Sequence, residues 1–395
     1  MNSIDILRGP TATPGKPQTA FDMTQPPARI GMPLSDVDTP ALLIDLYAFE
    51  RNVELMAKNI ESYGIRLRPH AKTHKCAVIA RRQMARGAVG VCCQKVSEAE
   101  ALVYGGVDNV LVSNEVVGRQ KLERLAGLAR AARVAVCVDD AGNVEALEKA
   151  AALAGVSIDV LVEINVGADR CGVRPGEAGL ALARKVEASD HLRFAGLQAY
   201  QGRAQHLRGF AERRQAIEAA AGEARRTVDL LAAHGIACET VAGAGTGTWR
   251  FEAGSGVYNE LQAGSYIFMD ADYARNRNAD GGRFDDFEHS LFVYTTVMST
   301  PEPRRVVVDA GLKSMAFDSG MPGVAGMESV QYAGPSDEHG NLNLSESNAK
   351  LSLGDKLRLI PGHCDPTVNL YDWFVCVRKE RVECLWPIVA RGAVW

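Results

Sequence analysis

The chain has 395 residues, of which 47% are hydrophobic and 23% are charged, as is typical of one to three soluble globular domains. A formal net charge of −4 without any basic block argues against nucleic acid and anionic membranes as partners. No apolar run reaches about 18 residues, and the first residues lack the charged and apolar regions of a secretory signal. The nine cysteines are odd in number and lie in apolar stretches, which predicts free thiols and a cytoplasmic protein.

The chain begins with residues 1–36, which are rich in Pro, Thr, Gly and Gln and show little periodicity. We expect an irregular arm there that lies on a partner subunit. Residues 37–46 contain an apolar run that predicts a strand, and residues 46–61 then carry apolar side chains at helical spacing.

Strand-like apolar runs and helix-like segments alternate over residues 47–275, and eight such runs lie between Ile65 and Leu261. The runs are continuously apolar, as expected for parallel strands that are covered on both faces. This pattern predicts an α/β fold, a (β/α)8 TIM barrel. The alternative is a doubly wound open sheet, which normally has a Gly-rich first turn that this chain lacks.

The sequence pattern changes in residues 285–395. Apolar runs follow one another there without helix-like segments between them, and the turns are rich in Gly, Pro and Asp. This predicts a C-terminal antiparallel β domain. The strand at 37–46 has no place in the barrel order, so we expect it to join this β domain.

The stretch Arg68-Pro-His-Ala-Lys-Thr-His-Lys-Cys76 follows the first barrel strand. Pro69 ends that strand, so Lys72 is predicted on the rim where barrel enzymes carry their catalytic residues. A lysine that is partly desolvated there can lose its proton and serve as a Schiff-base amine.

Two further stretches can bind small ions. Gly243-Ala-Gly-Thr-Gly-Thr248 follows an apolar strand, and its backbone N–H groups and hydroxyls suit an anion such as phosphate; Gly264-Ser-Tyr266 ends the next strand. In Pro361-Gly-His-Cys-Asp-Pro-Thr367, His363 and Asp365 face the same side of an extended segment, with Cys364 facing the other. One imidazole and one carboxylate suit Mn²⁺, Mg²⁺ or Zn²⁺ with positions left for water or substrate.

Several separated motifs resemble the D-threonine aldolase family of alanine-racemase-like, fold-type III pyridoxal-phosphate enzymes, from about residue 37 to the C-terminus. They are Arg68-Pro-His-Ala-Lys-Thr-His-Lys75, Val91-Cys-Cys-Gln-Lys-Val-Ser-Glu-Ala99, Arg170-Cys-Gly172, Gln198-Ala-Tyr200, Tyr258-Asn-Glu-Leu-Gln262 and Pro361-Gly-His-Cys-Asp-Pro-Thr367. The last motif and Gln198-Ala-Tyr-Gln-Gly202 also resemble the 3-hydroxyaspartate aldolases of that family.

The resemblance implies roles for individual residues. Lys72 would hold pyridoxal 5'-phosphate as a Schiff base, and His363 and Asp365 would hold the divalent cation. Tyr200 would meet the pyridine nitrogen, and Gln94 and Arg170 would line the pocket. The cofactor phosphate would lie at Thr246, Gly264 and Ser265, with Tyr266 approaching it. Family members act as homodimers in which each β domain helps to close the partner's site.

The expected reaction is retro-aldol cleavage of a D-3-hydroxy amino acid to glycine and an aldehyde, with His206 or a metal-bound water as the base. The aldehyde is acetaldehyde for D-threonine or glyoxylate for 3-hydroxy-D-aspartate. The alternatives are a D-serine or 3-hydroxyaspartate dehydratase, an amino-acid racemase and a non-catalytic cofactor carrier. Dehydratases of this family tend to carry a cysteine where this chain has Asp365, and a carrier has no use for the long β domain.

Overall fold

The computed structural model describes residues 25–395, and the part of the predicted N-terminal arm before residue 25 lies outside them. The first half of the described chain alternates strands and helices. These elements are β1 (Ala41–Asp45), α1 (Leu46–Tyr63), β2 (Arg66–Leu67), α2 (Ala77–Met84), β3 (Val91–Cys93), α3 (Val96–Tyr104), β4 (Asn109–Glu115), α4 (Arg119–Leu128), β5 (Arg133–Val138), α5 (Ala141–Ala154), β6 (Ile158–Glu163), α6 (Glu177–Glu187), β7 (Leu192–Gln198), α7 (Phe210–Ala233), β8 (Thr240–Gly243), α8 (Trp249–Ala253) and β9 (Glu260–Leu261).

The second half consists mainly of strands, with one short helix. These elements are β10 (Leu291–Glu302), β11 (Arg305–Val308), β12 (Gly323–Val324), β13 (Gln331–Pro335), β14 (Gly340–Asn343), β15 (Lys356–Ile360), α9 (Cys364–Val368), β16 (Trp373–Arg378) and β17 (Arg381–Pro387). Within residues 25–395, no helix is long and apolar enough to cross a lipid bilayer.

Strands β2 to β9 form a parallel sheet in the order β2-β9-β8-β7-β6-β5-β4-β3. A parallel bridge between His70 and Cys92 joins the two ends of the sheet and closes the barrel, with Cys92 N–H donating to Pro69 O at 2.9 Å. The predicted (β/α)8 barrel is therefore confirmed.

The inside of the barrel is filled by a layer of small and medium side chains, as in other barrels of this size. These buried residues are Cys92, Leu111, Ala135, Cys137, Leu161, Ala195 and Ala242. The alternate residues of the same strands pack outwards against the helices. Because both strand faces are buried, the strands are apolar throughout, which is the pattern that identified them in the sequence.

The C-terminal strands form a nine-stranded sheet in the order β11-β14-β13-β12-β15-β10-β1-β16-β17. Strand β1 lies in this sheet, where Leu42 pairs with Val293 of β10. The sheet is antiparallel except where β1 runs parallel to β16, with Leu42 opposite Phe374. That parallel pairing is possible because β1 and β16 are joined through the whole barrel rather than by a hairpin.

The later part of the predicted arm packs against this β domain. Gly31 N–H donates to Val382 O at 2.8 Å, and Pro33 forms a bridge with Arg381. Leu34 and Val37 are buried in the same small apolar cluster. Residues 25–36 thus contain one 3-10 turn, Leu34–Asp36, and are held by the edge strand β17 of their own β domain.

Candidate active site

A cleft of about 240 Å³ lies at the carboxyl end of the barrel strands, where the β domain meets the barrel rim. The position agrees with the rule that barrel enzymes build their sites from the loops at this end. Ten of the eleven predicted site residues line the cleft; these are Lys72, Gln94, Arg170, Tyr200, His206, Thr246, Gly264, Ser265, His363 and Asp365.

Lys72 lies in a single 3-10 turn, Ala71–Thr73, that follows β2. Its Nζ lies 3.2 Å from Oδ2 of Asp365. This carboxylate is the main reason that the pKa of Lys72 lies above its ordinary value, in spite of the opposing effect of burial. The expected desolvated lysine with a lowered pKa is therefore not what the structure shows, because an ion pair outweighs burial.

His363 and Asp365 enter the cleft from the β domain. The prediction of an extended segment was wrong at Asp365, which lies in the first turn of the short helix α9, with His363 as its extended N-cap. His363 Nδ1–H donates to Oδ2 of Asp318 at 2.7 Å, which leaves Nε2 free. A metal-binding histidine usually donates its other N–H to a carboxylate in this way, so the pair suits a divalent cation.

The pKa values in this pair follow from the same contacts. Burial raises the pKa of Asp365, but Lys72 and His363 outweigh it and hold that pKa well below its usual range. Burial lowers the pKa of His363, but Asp365 and Asp318 outweigh it and raise it above its usual value. The carboxylate of Asp365 is therefore ionised at neutral pH.

The Gly-rich loop after β8 offers a free hydroxyl to the cleft. Oγ1 of Thr246 is buried and has no hydrogen-bond partner among residues 25–395, which is costly unless a ligand completes it. Oγ1 of Thr248, by contrast, is committed, since it donates to Glu252 at 2.8 Å and accepts from Gln205 at 2.8 Å. Of the two threonines in the loop, Thr246 is the one able to bind an anion.

Gly264 and Ser265 lie beside this loop. A Cβ on Gly264 would lie 2.6 Å from Oγ1 of Thr73 and 2.8 Å from the carbonyl oxygen of His70, so only glycine fits there. Within residues 25–395, Oγ1 of Thr73 is a second buried hydroxyl with no partner at hydrogen-bond distance, although it lies near enough to Asp365 to help lower the pKa of that carboxyl. Two unpartnered hydroxyls and the close approach of backbone at Gly264 form a cradle of the kind that binds phosphate.

Tyr200 and Arg170 form the opposite wall of the cleft. The guanidinium carbon of Arg170 lies 5.7 Å from the centre of the Tyr200 ring, within the range of a cation–π contact. Nη2 of Arg170 lies 4.0 Å from Oε1 of Glu163. Burial raises the pKa of Tyr200 above its ordinary value, so its hydroxyl keeps its proton at neutral pH.

Gln94 and His206 occupy two further places in the cleft. Nε2 of Gln94 lies 2.8 Å from Nε2 of His70, and burial holds the pKa of His70 well below its usual value. His206 has 59% of its side chain exposed, and its Nδ1–H donates to Oδ2 of Asp272 at 2.9 Å.

Tyr266 is the predicted site residue whose side chain does not reach the cleft. It is fully buried, and its hydroxyl accepts a hydrogen bond from Nε2 of Gln83 at 2.9 Å. The 3-10 turn after β9 points the ring into the apolar layer beside Phe287, so the side chain lies outside the cleft. The expected approach of Tyr266 to the phosphate stays a prediction that the position of its side chain does not support.

Sequence reasoning missed Asp318, Asp272 and Thr73, which contact or complete the predicted residues. Asp318 and Asp272 lie far along the chain from their histidine partners, and nothing in their local sequence marks them. Thr73 follows Lys72 within the motif Arg68-Pro-His-Ala-Lys-Thr-His-Lys75, but the burial of its hydroxyl depends on the fold.

Two protein-family models match the chain, one over the barrel and the other over the β domain. Residues 44–272 match the model of the alanine racemase N-terminal domain, and residues 290–377 match that of a putative serine dehydratase domain. The match to the first model covers more than half of the chain and corresponds to the barrel.

Whole-chain similarity is also high. The chain is 48% identical over 370 residues to 3-hydroxy-D-aspartate aldolase from Paracoccus denitrificans strain Pd 1222, covering 93% of this chain and 95% of the relative. It is 49% identical over 367 residues to D-threonine aldolase from an Arthrobacter species, covering 93% and 96%. The crystal structure of D-threonine aldolase from Filomicrobium marinum superposes with a TM-score of 0.91 at 53% identity, covering 94% of this chain and 100% of that one. The chain therefore belongs to the alanine-racemase-like family that contains D-threonine aldolase and 3-hydroxy-D-aspartate aldolase.

Proposed function

We propose that the protein cleaves D-3-hydroxy amino acids to glycine and an aldehyde, using pyridoxal 5'-phosphate and a divalent cation. One observation carries this proposal. A single cleft brings together the amine of Lys72, the hydroxyl cradle at Thr246 and the potential metal ligands His363 and Asp365. Its relatives with 48% and 49% identity are aldolases, which supports the same class of aldehyde-lyase.

The residues present fit the cofactor. The unpartnered hydroxyls of Thr246 and Thr73 and the tight passage at Gly264 suit a phosphate group. Ser265, adjacent to Gly264, would add a further donor. Lys72 would hold the aldehyde carbon and Tyr200 would meet the pyridine nitrogen. Gln94 and Arg170 would line the remaining walls of the cleft.

The residues also fit a divalent cation. His363 is already oriented by Asp318, and Asp365 is ionised, so the pair would supply one nitrogen and one oxygen ligand. Mn²⁺ or Mg²⁺ suits this mixed set, and Zn²⁺ is the further candidate. Two protein ligands leave positions for water and the substrate oxygen.

When bound, pyridoxal phosphate supplies an electron sink and the cation supplies a Lewis acid for the β-oxygen. Side chains of the protein would bind the substrate and transfer its proton. Arg170, which lines the cleft beside the Tyr200 ring, would bind the substrate carboxylate. His206, with Nε2 free and exposed in the cleft, is the proposed base that takes the proton of the β-hydroxyl.

Within this class we favour a D-threonine type of substrate, which has one carboxylate. Among the described residues that line the cleft, Arg170 is the single arginine. A 3-hydroxyaspartate has a second carboxylate and needs a second cationic partner. Cleavage of 3-hydroxy-D-aspartate to glycine and glyoxylate is the alternative, which the 48% identity to the Paracoccus enzyme favours.

The chain is proposed to act as a cytoplasmic homodimer. All nine cysteines are unpaired, as expected for a reducing compartment. The family resemblance supports the dimer, in which a partner's β domain would cover the mouth of the cleft. Light scattering of the purified protein tests the dimer.

A steady-state assay tests the reaction. Wild-type protein loaded with cofactor and Mn²⁺ is supplied with D-threonine, D-phenylserine or 3-hydroxy-D-aspartate, and each L-isomer serves as the control. We expect glycine and the matching aldehyde from D-isomers, with D-threonine preferred over the dicarboxylate. Formation of a 2-oxo acid and ammonia would establish the dehydratase, and inversion at Cα without cleavage would establish the racemase.

A further inference from the structure

Asp272 lies at the junction of the barrel and the β domain and is almost fully buried. Its Oδ2 accepts the Nδ1–H of His206 at 2.9 Å, and its Oδ1 accepts from Arg208 and from Arg275, each at 2.5 Å. Its backbone N–H donates to Gly362 O at 3.2 Å. These contacts fix the carboxylate of Asp272 in place. Its Oδ2 binds the histidine, whereas its Oδ1 binds the two arginines.

The charge of this carboxylate is fixed by its partners. Burial raises the pKa of Asp272, but the hydrogen bonds from His206, Arg275 and Arg208 outweigh it and hold that pKa well below its usual range. An ionised carboxylate accepts hydrogen bonds and cannot donate them. The proton on His206 must therefore lie on Nδ1, which leaves Nε2 as the atom that gains or loses a proton.

We propose that Asp272 is a positioning residue that fixes the tautomer and direction of His206, so that Nε2 receives the proton of the substrate β-hydroxyl. This inference rests on the proposed function. In that step the hydroxyl proton passes to Nε2, the β-oxygen becomes the aldehyde carbonyl and the Cα–Cβ bond breaks. The electron pair remains with Cα, which then takes up a proton from water to give glycine, and the exposed His206 returns its extra proton to solvent.

Asp272→Asn tests the role of Asp272 directly, because the two arginines beside it determine the orientation of the new amide group. Arg208 and Arg275 donate into the Oδ1 position, so the amide oxygen stays there and the NH2 group faces His206. Nδ1 must then accept, and the proton moves to Nε2. The base is blocked although its position is almost unchanged.

We expect kcat of Asp272→Asn to fall by about 10²–10⁴-fold, as for other histidine bases held in the wrong tautomer. KM should stay within about threefold, and the cofactor absorbance should be unchanged. His206→Gln should lose a similar factor, and the double variant should lose no more than His206→Gln alone. A kcat within about threefold of the wild type, or a rise in KM alone, would overturn the role of Asp272.

A matched control exists on the outer surface of the barrel. His191 Nδ1–H donates to Oε1 of Glu148 at 2.9 Å, the same geometry away from the cleft. Glu148→Gln should leave kcat and KM unchanged. A loss equal to that of Asp272→Asn would show that disrupting any histidine–carboxylate pair is enough, and would overturn the proposal.

The tautomer of His206 can also be measured directly, without an activity assay. Nitrogen-15 NMR of histidine-labelled protein, with the His206 signal assigned from His206→Gln, should show a protonated Nδ1 in the wild type and a protonated Nε2 in Asp272→Asn. A protonated Nε2 in neutral wild-type His206 overturns the role of Asp272 even if the variant fails to fold. A wild type that cleaves no D-3-hydroxy amino acid overturns the proposed function and this inference together.

Discussion

Nζ of Lys72 lies 3.2 Å from Oδ2 of Asp365, although the two residues come from different domains. The proposed cofactor-binding amine and the proposed metal ligand are therefore direct neighbours. A substrate bound on the cofactor beside Lys72 would lie within reach of an ion at Asp365, which joins the two chemical requirements of Cα–Cβ cleavage in one place. Mutation can remove the proposed cofactor-binding amine and the proposed metal ligand separately.

Lys72→Ala should abolish the absorbance of lysine-bound cofactor and all activity, because no other amine occupies its place in the cleft described. Lys95→Ala is the matched control, since Lys95 is an exposed lysine on the loop after β3. It should keep both the absorbance and the activity. Borohydride reduction followed by peptide mapping provides the measurement, and labelling of Lys75 or Lys95 would contradict the assignment.

Removing the metal should separate cofactor binding from cleavage. Excess chelator, His363→Ala or Asp365→Ala should each lower kcat at least about 100-fold. The cofactor absorbance should persist because Lys72 and the phosphate cradle are intact. Mn²⁺ or Mg²⁺ should restore the chelated wild type but not the double variant. Full activity in excess chelator would remove the metal from the mechanism.

Asp318→Asn should weaken metal binding while leaving both proposed ligands in place. His363 donates to Asp318 at 2.7 Å, and loss of such a carboxylate typically costs about 10–100-fold in metal affinity. Titration of the apo-protein with Mn²⁺ by calorimetry measures this directly. Asp337→Asn, an exposed aspartate in the same domain, should bind Mn²⁺ as the wild type does.

Thr246→Val and Thr248→Val should have opposite effects. The Thr246 hydroxyl has no partner, so its loss should not lower the free energy of unfolding of the apo-protein, but should raise the cofactor Kd about tenfold. The Thr248 hydroxyl bonds Glu252 and Gln205, so its loss should cost about 1–2 kcal/mol of stability and change the cofactor Kd little. Urea unfolding and fluorescence titration make the comparison, and equal effects of the two variants on Kd would contradict it.

Glu252 should make the stability depend on pH. Burial raises its pKa from 4.5 to about 7, against the effect of its hydrogen bond from Thr248. Between these values the folded state holds a proton that the unfolded state has lost, so stability falls as pH rises from about 4.5 to 7, by at most about 3 kcal/mol. Glu252→Gln should lack this fall. Urea unfolding at pH 5 and pH 8 tests it, and an identical pH dependence in both proteins would refute it.

The sequence by itself determined the architecture and most of the site. Parallel strands buried on both faces are apolar throughout, and this local pattern predicts β2 to β9 without knowledge of any contact. Loops at the carboxyl ends of barrel strands converge by geometry, so Lys72, Tyr200 and Thr246 could be placed on one rim from their positions after strands. The motifs also carried the family resemblance.

Only the tertiary structure decided which side chains complete that site. Asp318 and Asp272 meet His363 and His206 from distant parts of the chain, and no local pattern encodes such meetings. The structure also separated Thr246 from Thr248, and turned Tyr266 away from the cleft. These outcomes depend on hydrogen bonds and packing between elements, whereas the strands and helices depend on periodicity within one segment.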